Sequence, residues 1–517
     1  MGCDRLKRAR GVRAARRAVQ LLFLVLFVFL TFEAAYPPLV RPPANLLLRA
    51  DPIAAVMSLS AARSASTAWR FWPAWVLLAL SVFCGRFFCG WLCPLGTCFD
   101  AVGAIKPRAL KYHRPRGGEM KELKRRAESG ARPVRVRVKF IILAAVLGLS
   151  FAGVNLLYFA SPLAIFNRSA YYLMLPGFPF LFIALLLLAF FYRPRFWCEE
   201  ICPAGALMSL ASLAGRRLGA GLKPLAVEKD SEACISCGAC YRACSFGVDE
   251  PYTMRESGLL GSYDCSRCAA CVAACPAGGA LALKSFGLTL ARSRGVARKR
   301  PRKNAPPGPA RNAGRLSVSR KEFIASLGLG GMLLAGYSAG LRGTPEPLLR
   351  MPGAQDESRF LATCNRCAEC VRACPTGCIR MMGLEGGLQR LWTPRFRPRT
   401  ASCVFDECNQ ACQSVCPAGA ILAVPPERTR IGVARINRRT CLGYRGRPCL
   451  ICQERCRFNA IEADGLRPVA IAENCTGCGA CEQGCPTEPA SIVVQEAGAE
   501  PSAGGGGRRR GNRRRGN

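Results

Sequence analysis

Long apolar runs alternate with short, strongly polar segments over the N-terminal part of the chain, and beyond residue 225 only one weak apolar run follows. A hydrocarbon core of about 30 Å is crossed by roughly 20 mainly apolar helical residues. Residues 18–36, 140–160 and 171–192 meet that requirement. Residues 68–84 form a shorter run whose Trp69, Trp72 and Trp75 suit an interfacial aromatic belt. Pro176, Gly177 and Pro179 predict a bend or break inside 171–192. The fifth run, 323–341, is glycine-rich and weakly apolar. The pattern predicts a polytopic α-helical membrane bundle of four spans within residues 1–225.

Charge sets the orientation. The chain has a net charge of +40, which taken alone suits a nucleic-acid partner. Its distribution argues for a membrane protein instead. Seven basic residues lie in the first 17, eleven and no acid lie in 290–321, and six arginines lie beyond Gly504. Basic segments that flank apolar runs on one side orient spans in a membrane. The 86–139 loop is dense in Lys and Arg while 37–67 and 161–170 are sparse, so the spans alternate with both ends of the bundle cytoplasmic. The opening run lacks a convincing small-residue cleavage site and reads as an anchor. The Gly/Arg tail, 498–517, reads as disordered.

The 32 cysteines carry the chemistry. Four quartets read C-x2-C-x2-C-x3-C: Cys234, Cys237, Cys240 and Cys244; Cys265, Cys268, Cys271 and Cys275; Cys364, Cys367, Cys370 and Cys374; Cys475, Cys478, Cys481 and Cys485. Pro276, Pro375 and Pro486 follow three of them and Ser245 the other. That is the bacterial ferredoxin run, in which three thiolates hold one [4Fe-4S] cluster and the fourth serves its neighbour. Two looser quartets are Cys403, Cys408, Cys412 and Cys416, then Cys441, Cys449, Cys452 and Cys456. Disulfide frameworks belong to short secreted chains, and zinc ribbons separate two CxxC pairs. The fold class is therefore a polytopic helical bundle plus α+β ferredoxin domains, one two-cluster and one four-cluster, with six clusters in all. Within the first ferredoxin unit, fourth-ligand exchange predicts one cube on Cys234, Cys237, Cys240 and Cys275 and another on Cys265, Cys268, Cys271 and Cys244.

Two further pairs, Cys89-x3-Cys93-Pro94 and Cys198-x3-Cys202-Pro203, follow spans at their cytoplasmic ends. Two helices ending side by side would gather these four thiols. Such a group suits a further cluster or another soft metal, a redox-active thiol group, or a docking surface. Cys3, Cys84, Cys98 and Cys378 fall outside all groups. The lone His113 and the absence of C-x-x-C-H exclude bis-His and c-type haem. No nucleophile–base pair stands out, so the expected chemistry is one-electron transfer. Ser319-Arg320-Lys321-Glu322-Phe323-Ile324 approximates a twin-arginine export signal, which predicts that residues beyond 342 are exported already folded.

On these motifs the first 290 residues resemble the NapH family, the membrane quinol-dehydrogenase component of periplasmic nitrate reduction. The remainder resembles the NapG ferredoxins and the related MauM proteins of methylamine utilisation, through LLRMPG, CNRCAECVRACP, CLGYRGRPCLICQERC and CTGCGACEQGCP. The chain departs from the NapG pattern at Glu407, where that pattern has cysteine, and at the lysine of the export signal.

The resemblance implies a natural fusion: a membrane domain at 1–225, a cytoplasmic two-cluster ferredoxin at 226–289, a basic linker at 290–321, an export signal or fifth span at 322–342, and a four-cluster ferredoxin at 343–497 on the periplasmic side of a bacterial inner membrane. It implies that in the C-terminal unit the first quartet pairs with the fourth and the second with the third. It also implies electron transfer from quinol and the quinone pool to a periplasmic cytochrome or reductase. An assembly factor that reduces metal or thiols in a periplasmic metalloenzyme is the alternative. One difficulty follows: with clusters on both faces, electrons must cross about 30 Å of hydrocarbon with no haem ligand inside it.

Overall fold

The computed structural model of the chain describes residues 2–33, 44–62, 65–105, 138–151, 155, 157–174, 179–217, 225–254, 256–293, 348–354 and 356–496. The basic linker, the export-signal segment with the fifth apolar run, His113 and the Gly/Arg tail lie outside these residues. The N-terminal part is helical: α1 (Gly2–Glu33), α2 (Pro52–Ala62), α3 (Trp72–Cys84), α4 (Phe87–Trp91), α5 (Pro94–Ile105), α6 (Val138–Phe151), α7 (Pro162–Met174), α8 (Phe180–Phe191) and α9 (Pro203–Arg217). Helix α9 packs on α3 and α6, and α5 packs on α1, α7 and α8.

The expected spans are realised unevenly. Among the described residues only Gly11–Glu33 is long and apolar enough to cross a membrane. The other apolar helices have 12 to 14 residues in α3, α6 and α8, about 18–21 Å at 1.5 Å per residue. Prolines account for one difference. The expected 171–192 run is divided, since residues 171–174 are the last turn of a helix that starts at Pro162 while Pro179 caps the next. Residues 161–170, read as a connection sparse in Lys and Arg, thus form most of the buried helix α7.

The first ferredoxin unit is a four-stranded antiparallel sheet in the order β2–β1–β3–β4, with β1 (Ala226–Lys229), β2 (Gly258–Leu259), β3 (Leu281–Ser285) and β4 (Leu288–Arg292). Two short helices, Ala239–Arg242 and Ala270–Ala274, follow the paired cysteine loops. The C-terminal unit has two lobes, each built around two quartets. Strands β5 (Ile379–Met381) and β6 (Pro394–Phe396) pair in the first lobe; β7 (Val433–Ile436) with β10 (Ile492–Gln495), and β8 (Ile461–Asp464) with β9 (Arg467–Ala470), pair in the second. The lobes are joined by Cys403 N–H donating to the Cys478 carbonyl at 2.8 Å, and by Arg399 donating to the carbonyls of Glu482 and Cys485.

The two units meet opposite ends of the bundle. On α1, Val12 packs on the core of the first unit, whereas the carbonyl of Thr31 accepts from Arg372 of the second. Nineteen helical steps separate these contacts, about 28 Å. Helix α6 repeats the arrangement: Lys139 in its first turn pairs with Asp264, and Asn155 just past its end donates to the carbonyls of Ala362 and Cys364.

Helix α7 carries the second dock, where Asn167 donates to the Cys367 carbonyl at 2.7 Å and to Glu369 Oε1 at 2.8 Å, and Arg168 lies 3.8 Å over the Trp392 ring. Replacing buried Asn167 by leucine removes both bonds from groups that cannot reach water. A loss of about 1–3 kcal/mol in docking is expected, checked by nicking the chain between residues 294 and 347 and measuring how much of the C-terminal unit stays with the bundle.

Candidate metal centres

Backbone conformation explains why the cysteine spacing works. In each clean quartet the residues on both sides of the second cysteine are left-handed: Ser236 and Gly238, Arg267 and Ala269, Arg366 and Ala368, Gly477 and Gly479. These reversals curl the loop so that successive thiols face one space, and they turn backbone N–H groups inward. Arg267 N–H points to Cys265 Sγ at 3.4 Å, Arg366 N–H to Cys364 Sγ at 3.4 Å, and Val248 N–H to Cys244 Sγ at 3.3 Å. Such donors favour thiolates and tune cluster potential.

In the C-terminal unit the thiols surround four cavities of about 320–370 Å³. One is lined by Cys364, Cys367, Cys370 and Cys416, and the next by Cys374, Cys403, Cys408 and Cys412. The second lobe has one lined by Cys441, Cys449, Cys452 and Cys485, and one by Cys456, Cys475, Cys478 and Cys481. Each quartet thus lends its fourth cysteine to its partner. The expected pairing is corrected: the first quartet exchanges with the second and the third with the fourth, because each pair is folded into one lobe. In the first unit Cys275 interacts with Cys234 and Cys237, and Cys244 with Cys265 and Cys268, the grouping expected from sequence.

The looser quartets are drawn together by local turns. The seven residues between Cys441 and Cys449 form a single-turn helix, Gly443–Arg445, closed by Gly446 at φ 78°. Glu407 does not face its cavity but pairs with Arg457 at the surface, so the missing cysteine leaves the ring of four thiols intact. Cys378, expected to be spare, lies 3.4 Å from Cys374 beside the same cavity.

The donor set tests the cofactor. No disulfide joins the described cysteines. Among the described residues no three Cys, His, Asp or Glu side chains converge as ligands of one metal ion would, whereas zinc draws four donors to about 2.3 Å. Thiols at the rim of a larger cavity fit a polynuclear cluster. Burial, and then Cys234, push the Cys240 thiol up to about 11; burial, and then Cys268, push Cys244 up to about 12. Thiols raised in this way are neutral at pH 7, and holding a cluster would require them as thiolates, so that binding would release protons. When bound, such cubes supply one-electron transfer.

The two Cys-x3-Cys-Pro pairs are also brought together. Cys89, Cys93, Cys198 and Cys202 are all buried and line one cavity of about 330 Å³ inside the helical part.

Known 4Fe-4S families match the cysteine-bearing regions. A 4Fe-4S dicluster domain matches residues 226–276, a 4Fe-4S binding domain matches 66–112 and again 174–221, and another 4Fe-4S binding domain matches 361–377 and 472–488. The methylamine utilization ferredoxin-type protein MauM of Paracoccus denitrificans is 38% identical over 205 residues, 36% of this chain and 91% of that protein. The chain belongs to the MauM/NapG family of ferredoxin-type proteins. The ferredoxin-type protein NapG of Escherichia coli is 32% identical over 186 residues, 32% of this chain and 79% of the relative. MauM of Methylorubrum extorquens is 37% identical over 181 residues, 32% of this chain and 80% of the relative. No solved structure matches significantly. As a family member, the chain is an iron-sulfur protein with an electron-transfer role.

Several residues around the centres escaped the sequence reading. Arg86 opens the basic loop at 86–139, yet it is fully buried, and so is Arg195. The signal was available as an internal repeat: Arg86-Phe-Phe-Cys89-x3-Cys93-Pro-Leu-Gly96 matches Arg195-Phe-Trp-Cys198-x3-Cys202-Pro-Ala-Gly205. Asp264 and Phe246 carry no motif and emerge only from the packing of the first ferredoxin unit on the bundle.

Proposed function

We propose that this chain is a membrane-bound electron-transfer protein that takes electrons from quinol and passes them to a periplasmic acceptor, as a fusion of a NapH-like half with a MauM/NapG-like half. The observation that carries this reading is the docking of one ferredoxin unit at each end of an apolar helical bundle, about 28 Å apart along α1. That separation is close to the thickness of a hydrocarbon core, about 30 Å. The bundle surface between the docks is apolar: Leu22, Val25 and Phe29 of α1, Val76 of α3 and Phe191 of α8 are exposed, as lipid-facing side chains are and as a soluble surface rarely is. On this reading the first unit faces the cytoplasm and the second the periplasm of a bacterial inner membrane.

The residues act by holding and shielding. Twenty-four cysteines in six quartets provide the ligands for six cubes. The inward N–H groups and buried walls set their potentials, and the helical part supplies the apolar space in which a quinol would bind. Membrane vesicles carrying the chain are expected to show quinol-driven reduction of the clusters by electron paramagnetic resonance. A stable complex with a periplasmic metalloenzyme, with no quinol response, would instead support the maturation role suggested by the MauM relatives.

A further inference from the structure

The two Arg-Phe-x-Cys-x3-Cys-Pro-x-Gly repeats are matched as two separate 4Fe-4S binding segments, yet each offers only two thiols. The fold combines them with approximate two-fold symmetry. Arg86 donates to the Cys198 carbonyl at 2.6 Å, and Arg195 donates to the Cys89 carbonyl, so each repeat is anchored by the arginine of the other. The glycines complete the exchange. A Cβ at Gly205 would overlap the Arg86 guanidinium, and one at Gly96 would lie 2.9 Å from Arg195 Nη1. Both guanidinium groups lie over the ring of Phe246 of the first ferredoxin unit, Arg86 at 5.1 Å and Arg195 at 4.8 Å.

We propose that the two repeats build one shared [4Fe-4S] site, held by Cys89, Cys93, Cys198 and Cys202 with Arg86 and Arg195 as buried counter-charges, and that this site joins the two ferredoxin units into one electron path. Four thiolates outweigh the positive core, so the assembly is an anion. A buried anion is costly unless it is paired, and the two fully buried arginines, each also held by a carboxylate, Arg86 by Asp264 and Arg195 by Asp100, supply the cations nearest to it. Its place between the units follows from direct contacts. Arg86 donates its backbone N–H to the Cys265 carbonyl at 3.2 Å while its guanidinium lies 4.0 Å from Cys89 Sγ, so one residue touches ligands of both sites. On the other side Pro162 lines the shared cavity, and Asn167 on the same helix α7 donates to the Cys367 carbonyl, five residues or about 7.5 Å further along the axis. Each transfer oxidises one site as it reduces the next by a single electron, with no proton or bond exchanged. The path rests on the membrane placement proposed above and removes the need for haem inside the bundle.

Iron analysis of the full-length chain decides the site without any substitution: seven cubes require about 28 iron atoms per chain and six about 24. Cys89→Ser with Cys198→Ser is expected to lose about four of them, while the resonance signals of the other clusters remain and report that the chain is folded. The path is read in proteoliposomes with ferricytochrome c enclosed and, outside, an impermeant ruthenium-bipyridine dye with EDTA as the sacrificial electron donor under illumination. The wild-type chain is expected to reduce the enclosed cytochrome, and the double variant to do so at least tenfold more slowly although its outward-facing clusters are still reduced. A wild-type count near 24, or a variant that keeps all its iron, overturns the site. A variant that loses the iron yet transfers at the wild-type rate overturns the path. Quinol takes no part in this assay, so failure of quinol-driven reduction removes only the quinol reading.

Discussion

Asp264→Ala is expected to destabilise the folded chain by about 3–5 kcal/mol and to free the first ferredoxin unit from the bundle. The Asp264 carboxylate accepts from Arg86 at 3.4 Å, from Ser209 Oγ at 2.7 Å and from Lys139, and all four residues are buried. Three elements converge on it: the loop after α3, the first turn of α6, and α9. Removing the carboxylate strips a shared anionic partner from buried Lys139 and Arg86, which costs far more than losing a surface ion pair. Asp264→Asn keeps the shape and one acceptor oxygen, so it is expected to be less damaging. Limited proteolysis at the junction near residues 218–224, followed over a thermal ramp, reads the release. Wild-type protection in Asp264→Ala would show that the network does not hold the unit.

The second large effect concerns the lobes of the C-terminal unit. Cys416→Ala is expected to remove the cluster whose other ligands are Cys364, Cys367 and Cys370, rather than the one held by its own quartet neighbours Cys403, Cys408 and Cys412. The loss is about four iron atoms, and its spectral signature is expected to coincide with that of Cys364→Ala. The double variant should lose no more than either single one, because both remove the same site. Cys374→Ala is expected to produce the other signature of this lobe. Additive losses for Cys364→Ala with Cys416→Ala would contradict the grouping.

Legibility followed covalent distance. Ligand runs such as Cys475 to Cys485 were readable because three ligands sit within one loop and its left-handed residues follow from the same short stretch. The exchange within the first ferredoxin unit was readable because its two quartets are adjacent in sequence. The pairing of the four C-terminal quartets was misjudged because it was taken from the resemblance, whereas the fold pairs neighbours in sequence here too, the first quartet with the second and the third with the fourth. Glu407 looked like a lost ligand, yet a fourth thiol arrives from Cys374, whose approach depends on the tertiary fold.

The helical part was legible in its hydropathy and less so in its geometry. Apolar composition marked the runs, but Pro162 opens α7 and Pro179 caps α8, so that 161–170, read as a connection sparse in Lys and Arg, became a dock for the second ferredoxin unit. In the sequence Arg86 is only the first residue of a basic loop. Its role depends on Asp264, 178 residues away, and on a glycine in the opposite repeat.

Protease accessibility of the two ferredoxin units in intact spheroplasts and in inverted vesicles tests the central claim most directly, since the whole account requires one unit on each face of a membrane. Cleavage of the C-terminal unit only in spheroplasts, and of the first unit only in inverted vesicles, is the result this structure predicts. Protection of the C-terminal unit in spheroplasts, with cleavage of both units in inverted vesicles, would contradict it.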